Sequence, residues 1–164
     1  MTPAHRVIES PLGPILLSAD ASDRLTGVTL GPAQDRPSRA HARHTPGRVL
    51  DDVAVQLGEY FEGRRTRFDV PLAMAGSPFQ RQVWAQLQQI PFGSTVNYGR
   101  LAAALGRPGA ARAVGRANAT NPIAIIVPCH RVIGASGQLT GYGGGLEAKR
   151  RLLELEAGRP GSAS

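Results

Sequence analysis

Cysteine is almost absent from this chain of 164 residues, which contains Cys129 alone. A single thiol excludes an internal disulfide bond and any zinc site built from several cysteines. It also means that no second cysteine of the chain can regenerate the thiol by resolving a disulfide formed during a reaction. Because the sequence shows no cofactor motif and no cluster of metal ligands either, we predict neither a cofactor nor a metal.

Long apolar runs are also missing. No stretch approaches the roughly 20 residues that a bilayer span requires. Residues 1–9 contain no basic segment that leads into an apolar one, so no signal peptide is predicted. We therefore expect a cytoplasmic protein with no membrane association and no obligate protein partner.

Lysine is the third scarce residue, since Lys149 is the only lysine among 19 basic residues. The net charge of +7 suits a protein that binds a phosphate backbone. A GC-rich genome, however, supplies arginine codons without any such function. Charge alone leaves both explanations open, and the positions of the arginines matter more.

The first part of the chain has the pattern of an antiparallel sheet. Short apolar segments separated by Pro, Gly and Asp turns predict strands near residues 6–8, 15–17 and 27–30. Residues 31–48 show no periodicity and predict a mobile loop, in which His41 and His44 are interpreted as solvated side chains. An apolar face over residues 49–61 predicts a helix.

A change of pattern marks a domain boundary after residue 76. Residues 68–72 resemble a last strand, and residues 73–76 resemble a linker. We therefore expect an N-terminal α/β domain over residues 1–76 and a second domain over residues 77–158. Residues 159–164 have the composition of a flexible tail.

The second domain begins with a helix start, Ser77 as N-cap and Pro78 at the first helical position. Trp84 falls on the apolar stripe of this helix, so we interpret it as core. A closing helix over residues 146–156 is predicted to bury an apolar face. Its members are Leu146, Leu152, Leu153 and Leu155.

Two short helical patterns, residues 98–104 and 110–118, flank a turn that contains Gly106 and Pro108. The second is rich in small residues and carries Arg112 and Arg116 on one face, four residues apart. The pair has the shape of a helix-turn-helix. An ordinary helical hairpin with solvated arginines fits the same pattern, and both interpretations stay open.

The chemistry of the sequence concentrates at Cys129 and His130. The apolar run over residues 123–127 predicts a buried strand that leads to them. Neighbouring side chains of an extended segment point to opposite faces. Therefore either the backbone turns at Pro128 or a water bridges thiol and imidazole. In both cases His130 would take the thiol proton and leave a nucleophilic thiolate.

A carboxylate is expected to fix the imidazole, as in Ser-His-Asp triads. Glu147, Glu154 and Glu156 are the downstream candidates. Between them and His130 lies the glycine-rich segment 134–145, which contains Tyr142. This segment is either a plain flexible loop or a pocket wall where backbone approaches a flat ligand.

The run Pro128-Cys129-His130-Arg131-Val132, with Asn121-Pro122 before it and Gly-Tyr-Gly-Gly-Gly-Leu after it, resembles the O6-alkylguanine-DNA alkyltransferases. The similarity extends from about residue 77 to residue 156 and includes several separated motifs in the family's order. It implies an α/β fold: a small N-terminal antiparallel sheet with a helix, followed by a mainly α domain. That second domain would contain a winged-helix-like helix-turn-helix.

The resemblance implies direct repair of double-stranded DNA that contains O6-alkylguanine. Cys129 would accept the alkyl group after the damaged base is flipped out, in a single irreversible turnover. His130 would act as its base through a water, and Glu156 would orient His130. Asn121 would brace the turn that joins the DNA-binding helices to the acceptor.

The resemblance assigns DNA contacts mainly to the second helix of the pair, and one to Tyr98 at the start of the first. Arg112 would enter the duplex and fill the space left by the extruded nucleotide. Arg116 and Ala113 would contact DNA beside it. Tyr98 would help to rotate the nucleotide and donate a hydrogen bond to the guanine.

Backbone groups of Cys129 and Val132 would read the guanine edge, and the loop containing Tyr142 and Gly143 would shape the alkyl pocket. The sequence departs from the family in two places: Asn97 stands where Ser is usual, and Gly143 where some members have Ser. The first departure affects a predicted phosphate contact. The second leaves only backbone N–H to bond the guanine oxygen.

Two other functions fit parts of the pattern. A Cys-His hydrolase needs an oxyanion hole and turns over an ester or peptide, but the arginine-bearing helices do not support it. A non-catalytic damage-binding protein or helix-turn-helix regulator needs no thiol. Relatives that only bind lesions lack the acceptor cysteine, whereas Cys129 is present.

Overall fold

A computed structural model describes residues 4–30, 48–142 and 145–158 of the chain. The chain divides into two compact units, Met1–Met74 and Ala75–Ser164. The assignment of a domain boundary after residue 76 stays a prediction. The expected tail and most of the expected loop, with its two histidines, lie outside the described residues. No helix in the described part is long and apolar enough to cross a bilayer.

The first unit contains a three-stranded antiparallel sheet and one helix. The strands follow chain order as β1 (Ala4–Ile8), β2 (Ile15–Ala19) and β3 (Leu25–Thr29). Alternate residues of β2 are buried, which is the pattern of a sheet with one face on a core. Helix α1 (Arg48–Phe61) packs on β1 and β2. The predicted sheet and helix are confirmed, although Arg48 belongs to the helix and not to the expected loop.

The predicted strand over residues 68–72 is wrong. Only Leu72 pairs with the sheet, through an isolated parallel bridge to Leu25. The carbonyl of Pro71 accepts from Leu25 N at 2.8 Å, and Ala73 N donates to the Leu25 carbonyl at 2.8 Å. Pro71 has no N–H to give to a ladder, so the segment touches the sheet edge and does not extend it.

The second unit is mainly helical, which confirms the predicted fold class. Its helices are α2 (Pro78–Leu87), α3 (Tyr98–Ala104), α4 (Ala111–Ala119) and α5 (Leu146–Ala157). Two short strands, β4 (Val96–Asn97) and β5 (Val132–Ile133), pair in parallel, and a 3₁₀ turn covers Cys129–Arg131. Helix α4 packs against both α2 and α3.

Helix α2 starts where the sequence predicts. Ser77 accepts from Gln80 N, and the Gln80 side chain accepts from Ser77 N, which together form a capping box. Trp84 is 2% exposed and donates through Nε1 to the Ala117 carbonyl at 2.9 Å, so its assignment to the core is confirmed. A Cβ at Gly76 would lie 2.6 Å from the Trp84 ring, so glycine is required there.

The predicted strand over residues 123–127 is also wrong, although Ile123, Ile125 and Val127 are buried as expected. The segment forms turns, closed by a hydrogen bond of 3.0 Å from Val127 N to the Ile123 carbonyl. Ile125 adopts a φ of +70°, which β-branched residues rarely do. Burial of these side chains therefore comes from a compact turn and not from a sheet.

Helix α5 buries only part of the face that its leucines predict. Leu146 is half exposed, whereas the fully buried positions include Lys149, Leu152 and Glu156. These three follow the spacing i, i+3, i+7 of one helix face. The buried face thus carries two charged side chains, and both belong to the candidate site.

Candidate functional site

The site is organised by the 3₁₀ turn that carries Cys129 and His130. Cys129 is 6% exposed and His130 is fully buried. Val132 N donates to the Cys129 carbonyl at the end of this turn. The backbone does turn after Pro128, so the two neighbouring side chains need not point to opposite faces of a strand.

Asn121 braces the approach to Cys129. Its Nδ2 donates to the Val127 carbonyl at 2.7 Å, and its Oδ1 accepts from Ile123 N at 3.0 Å. The side-chain amide therefore replaces the strand ladder that the apolar run led us to expect. Asn118, buried on α4, reaches the Cys129 carbonyl with Nδ2 at 3.4 Å. The acceptor turn is thus tied to the helix pair by side-chain amides.

His130 and Glu156 form a buried pair. Nε2 of His130 lies 2.7 Å from Oε2 of Glu156, and neither side chain is more than 1% exposed. Burial favours the uncharged imidazole, and this outweighs the Glu156 carboxylate, so the pKa of His130 is lowered. Nδ1 of His130 is buried and has no hydrogen-bond partner among the described residues.

Arg131 binds the same carboxylate from the other side. Its Nε donates to Oε1 of Glu156 at 2.8 Å and its Nη2 to Oε2 at 3.0 Å. Its Nη1 donates to the Ile90 carbonyl at 2.7 Å, and the guanidinium lies over the Phe92 ring. Burial opposes ionisation of Glu156, but the hydrogen bonds from His130 and Arg131 outweigh it and lower the pKa to about 2.

Of the three carboxylates that the sequence offers, the structure brings only Glu156 to His130. Glu147 and Glu154 are exposed and pair with Arg150 on the surface of α5. The i, i+3 and i+4 spacing explains those surface pairs. The choice among the candidates is therefore made by which face of α5 turns inward.

Lys149 is the second buried charge of α5. Its Nζ donates to the carbonyls of Val132 at 2.7 Å and Thr140 at 2.9 Å. Burial lowers the pKa of Lys149. Burial likewise raises the pKa of Cys129, while a hydrogen bond from Asn121 and the charge of Lys149 act in the opposite direction. Cys129 therefore rests as a protonated thiol, and Asn121 and Lys149 are the two groups placed to stabilise its anion.

Two tyrosines are associated with the site in different ways. The Tyr142 hydroxyl is buried without a hydrogen-bond partner in the described part of the chain. Burial and the nearby charges of Cys129 and Glu156 raise its pKa well above the ordinary value. Tyr98, at the start of α3, shares a hydrogen bond of 2.7 Å with Oγ1 of Thr140. Thr140 thus connects Tyr98 to the lysine that its carbonyl binds.

The residues predicted to contact DNA lie apart from the buried network. Arg112 and Arg116 are exposed on α4, and Ala113 between them is half-buried. Neither arginine forms an ion pair with a described carboxylate. Asn97 caps α3, its Oδ1 accepting from Arg100 N at 2.8 Å, which is what the usual Ser would also do at an N-cap. Gly143 lies outside the described residues.

Sequence reasoning missed the charged and polar residues that complete the network. In the sequence Arg131 stands out only as a member of the motif around Cys129, and Lys149 only as the single lysine. Thr140 and Asn118 were not singled out at all. One signal was available for Lys149, because it stands three residues before Leu152 on the face that helical periodicity turns inward.

Comparisons with known proteins cover both units. The family profile for "6-O-methylguanine DNA methyltransferase, DNA binding domain" matches residues 78–158. The profile for the ribonuclease-like domain of the same methyltransferase matches residues 4–74. The methylated-DNA–protein-cysteine methyltransferase of Mycobacterium bovis is 53% identical over 94% of this chain and 93% of that protein.

Solved structures show the same relationship. The O6-methylguanine methyltransferase of Mycobacterium tuberculosis superposes with a TM-score of 0.85 at 51% identity, covering 96% of this chain and 94% of that one. A complex of the M. tuberculosis protein with DNA superposes with a TM-score of 0.84 at 51% identity, covering 94% and 93%. The chain therefore belongs to the 6-O-methylguanine DNA methyltransferase family.

Proposed function

We propose that this protein repairs DNA by transferring an alkyl group from O6-alkylguanine to the sulfur of Cys129. The observation that carries the proposal is the buried cluster of the only thiol, His130 and Glu156, in a chain of this family. Family membership supports the reaction class, and the cluster supports Cys129 as the acceptor.

The transfer begins with a proton. The thiol is protonated at rest because burial raises the pKa of Cys129, so a base must act before the sulfur can attack. Because the ionised carboxylate of Glu156 can only accept, Nε2 of His130 donates its hydrogen to it. Nδ1 of the neutral ring then carries a free lone pair that can accept a proton. A bridging water carries the proton between thiol and imidazole, and Lys149 and Asn121 stabilise the thiolate.

The alkyl step then forms a sulfur–carbon bond and breaks the carbon–oxygen bond of the lesion. The leaving guanine takes up one proton, which balances the proton given up by the thiol. The thioether formed is not reversed by thiol–disulfide exchange, and the chain contains no other cysteine. Each molecule therefore repairs one base and is consumed.

Access to the lesion requires double-stranded DNA to open. Flipping a base out of the stack costs a few kcal/mol. We assign α3 and α4 the role of a helix-turn-helix in which Arg112 enters the duplex and Arg116 and Ala113 contact it. The exposure of both arginines, without carboxylate partners among the described residues, supports this assignment. The DNA complex of the M. tuberculosis relative supports DNA as the partner.

Recognition of the guanine is assigned to the backbone of Cys129 and Val132, the hydroxyl of Tyr98 and the loop of Tyr142 and Gly143. Lys149 already donates to the Val132 carbonyl, but a carbonyl has two lone pairs and can accept again. The unpartnered, buried hydroxyl of Tyr142 supports a place for it in the pocket wall. A cytoplasmic location and the lack of an obligate protein partner stay predictions.

Intact-mass measurement after incubation with O6-methylguanine DNA tests the proposal. We expect one methyl group, about 14 Da, on Cys129 and on no other residue, with a one-to-one stoichiometry. A Cys129→Ser protein, matched in size, is the control and must stay unmodified. Normal transfer by that control, or repeated turnover by the parent, contradicts the proposal. Turnover of an ester without a mass gain would point to the Cys-His hydrolase instead.

A further inference from the structure

Two side chains of the 3₁₀ turn, His130 and Arg131, bind the carboxylate of Glu156. Its two oxygens accept one hydrogen bond from His130 and two from Arg131, and all three side chains are buried. A guanidinium stays protonated at any pH a folded protein meets. The negative charge of Glu156 is therefore already balanced by Arg131. Protonation of His130 would add a positive charge that the cluster has no second carboxylate to balance.

The charged and titratable groups described around His130 come mainly from two elements, and the neutral hydroxyl of Tyr142 lies near Cys129 and Glu156. The 3₁₀ turn supplies Cys129 and Arg131, and α5 supplies Glu156 and Lys149. Lys149 is a second buried cation, so a protonated His130 would face two cations and one carboxylate. In a buried site that balance disfavours the imidazolium. Without Arg131, the charge of Glu156 would lack this cation, and a protonated His130 could balance it. Removing Arg131 would therefore favour the imidazolium form of His130.

We propose that Arg131 is a positioning residue that keeps His130 neutral, so that Nδ1 keeps the lone pair that accepts the Cys129 proton. The inference rests on the proposed function, because it concerns the base of that reaction. The directions of the pKa shifts agree: burial lowers the pKa of His130, and the charges of Arg131 and Lys149 lower it further against the opposing effect of Glu156. Arg131 thus reaches the thiol only through Glu156 and His130.

The test compares Arg131→Gln with the parent and with Arg151→Gln. Arg151 is an exposed arginine of α5 that is outside the site, so its replacement removes the same charge without touching the cluster. In Arg131→Gln the pKa of His130 should rise. The acid limb of the single-turnover rate profile should then move to higher pH by about one unit. At a pH on that limb, transfer should be about tenfold slower than in the parent. Arg151→Gln should match the parent. Arg131→Lys keeps a cation beside Glu156 and should hold most of the parent's profile.

Titration of His130 by NMR gives a readout that does not depend on repair. In the parent, His130 should stay neutral at pH 7, and its signals are identified by their loss in His130→Ala. This measurement stands even if Arg131→Gln does not fold. A parent His130 that is protonated at neutral pH overturns the proposal. So does a folded Arg131→Gln protein that transfers equally slowly at every pH with an unchanged His130 pKa. If His130 titrates as stated but no alkyl group ever reaches Cys129, the charge assignment holds and the proposed function fails.

Discussion

Replacing His130 with Ala removes the base and leaves the thiol to ionise by itself. A thiol with the ordinary pKa of about 8.5 is only about 3% thiolate at pH 7. Burial raises the pKa of Cys129 above its ordinary value, so the fraction in this protein is smaller still. The variant should therefore transfer at pH 7 at least about thirtyfold more slowly than at its own high-pH plateau.

The pH dependence distinguishes activation of the thiol from shaping of the pocket. Thiolate grows about tenfold per pH unit below the pKa of the thiol, so the deficit of His130→Ala should shrink as pH rises. The parent, which uses the neutral imidazole, should change little over the same range. Glu156→Gln should show a weaker form of the same defect, because Gln still accepts from Nε2 but carries no charge.

Rates are measured in single-turnover experiments with O6-methylguanine duplex DNA, from about pH 6 to 9, a range that brackets the free thiol pKa. His5→Ala, an exposed histidine of β1, is the matched control and should behave as the parent does. Affinity for DNA should barely change, because neither His130 nor Glu156 is exposed. A deficit of constant size at every pH, in folded proteins, would refute the reasoning and leave both residues a structural role.

Three further predictions concern other parts of the molecule. Arg112→Ala should slow repair of duplex DNA while largely sparing reaction with a free alkylated guanine base; equal losses on both substrates would make Arg112 structural. Trp84→Phe should lower the free energy of unfolding in urea by about 1–3 kcal/mol, because it loses buried area and the bond to Ala117; a smaller change than an exposed substitution such as Val55→Ala would contradict the assignment to the core. Glu156 stabilises the fold above its unfolded pKa of about 4.5, and this contribution, about 3 kcal/mol, should be lost as pH falls toward 2; a folded Glu156→Gln protein should lack that acid-dependent loss.

The parts of the site that lie close together in sequence are predictable, because local rules govern them. The Ser77 cap follows from residue types at fixed spacing, and the Cys129–His130 pair is adjacent in the chain. The carboxylate partner of His130 lies 26 residues further on. Sequence reasoning could narrow it to three glutamates on one helix, but only the packing of that helix decides which of them turns inward.

The two wrong strands have a common physical cause. An apolar run reports burial and says little about backbone conformation. At residues 123–127 the side chain of Asn121 supplies hydrogen bonds to Ile123 and Val127 in place of a ladder, and Ile125 between them has a positive φ. At residues 68–72 the proline limits pairing to one bridge. Both outcomes depend on tertiary partners that a local window does not contain.

The buried face of α5 shows that a hydrophobic pattern can also miss buried residues. The leucines suggested an apolar face, whereas Lys149 and Glu156 are turned inward and Leu146 faces solvent. Charged side chains are buried when each finds partners, as Lys149 does with two carbonyls and Glu156 with Arg131 and His130. A pattern that treats every charge as exposed cannot find them.

The Asn121 brace has a consequence for how the protein ages. Asparagine most readily deamidates when the backbone nitrogen of the next residue attacks the side-chain amide and forms a succinimide. The next residue here is Pro122, whose nitrogen carries no hydrogen, so this route is closed. Conversion to aspartate would remove the donor that holds the Val127 carbonyl and would place a negative charge near the thiol. The brace is thereby protected from this route of deamidation. Under the proposed function that protection matters, because each molecule has to keep its acceptor site intact until its one reaction.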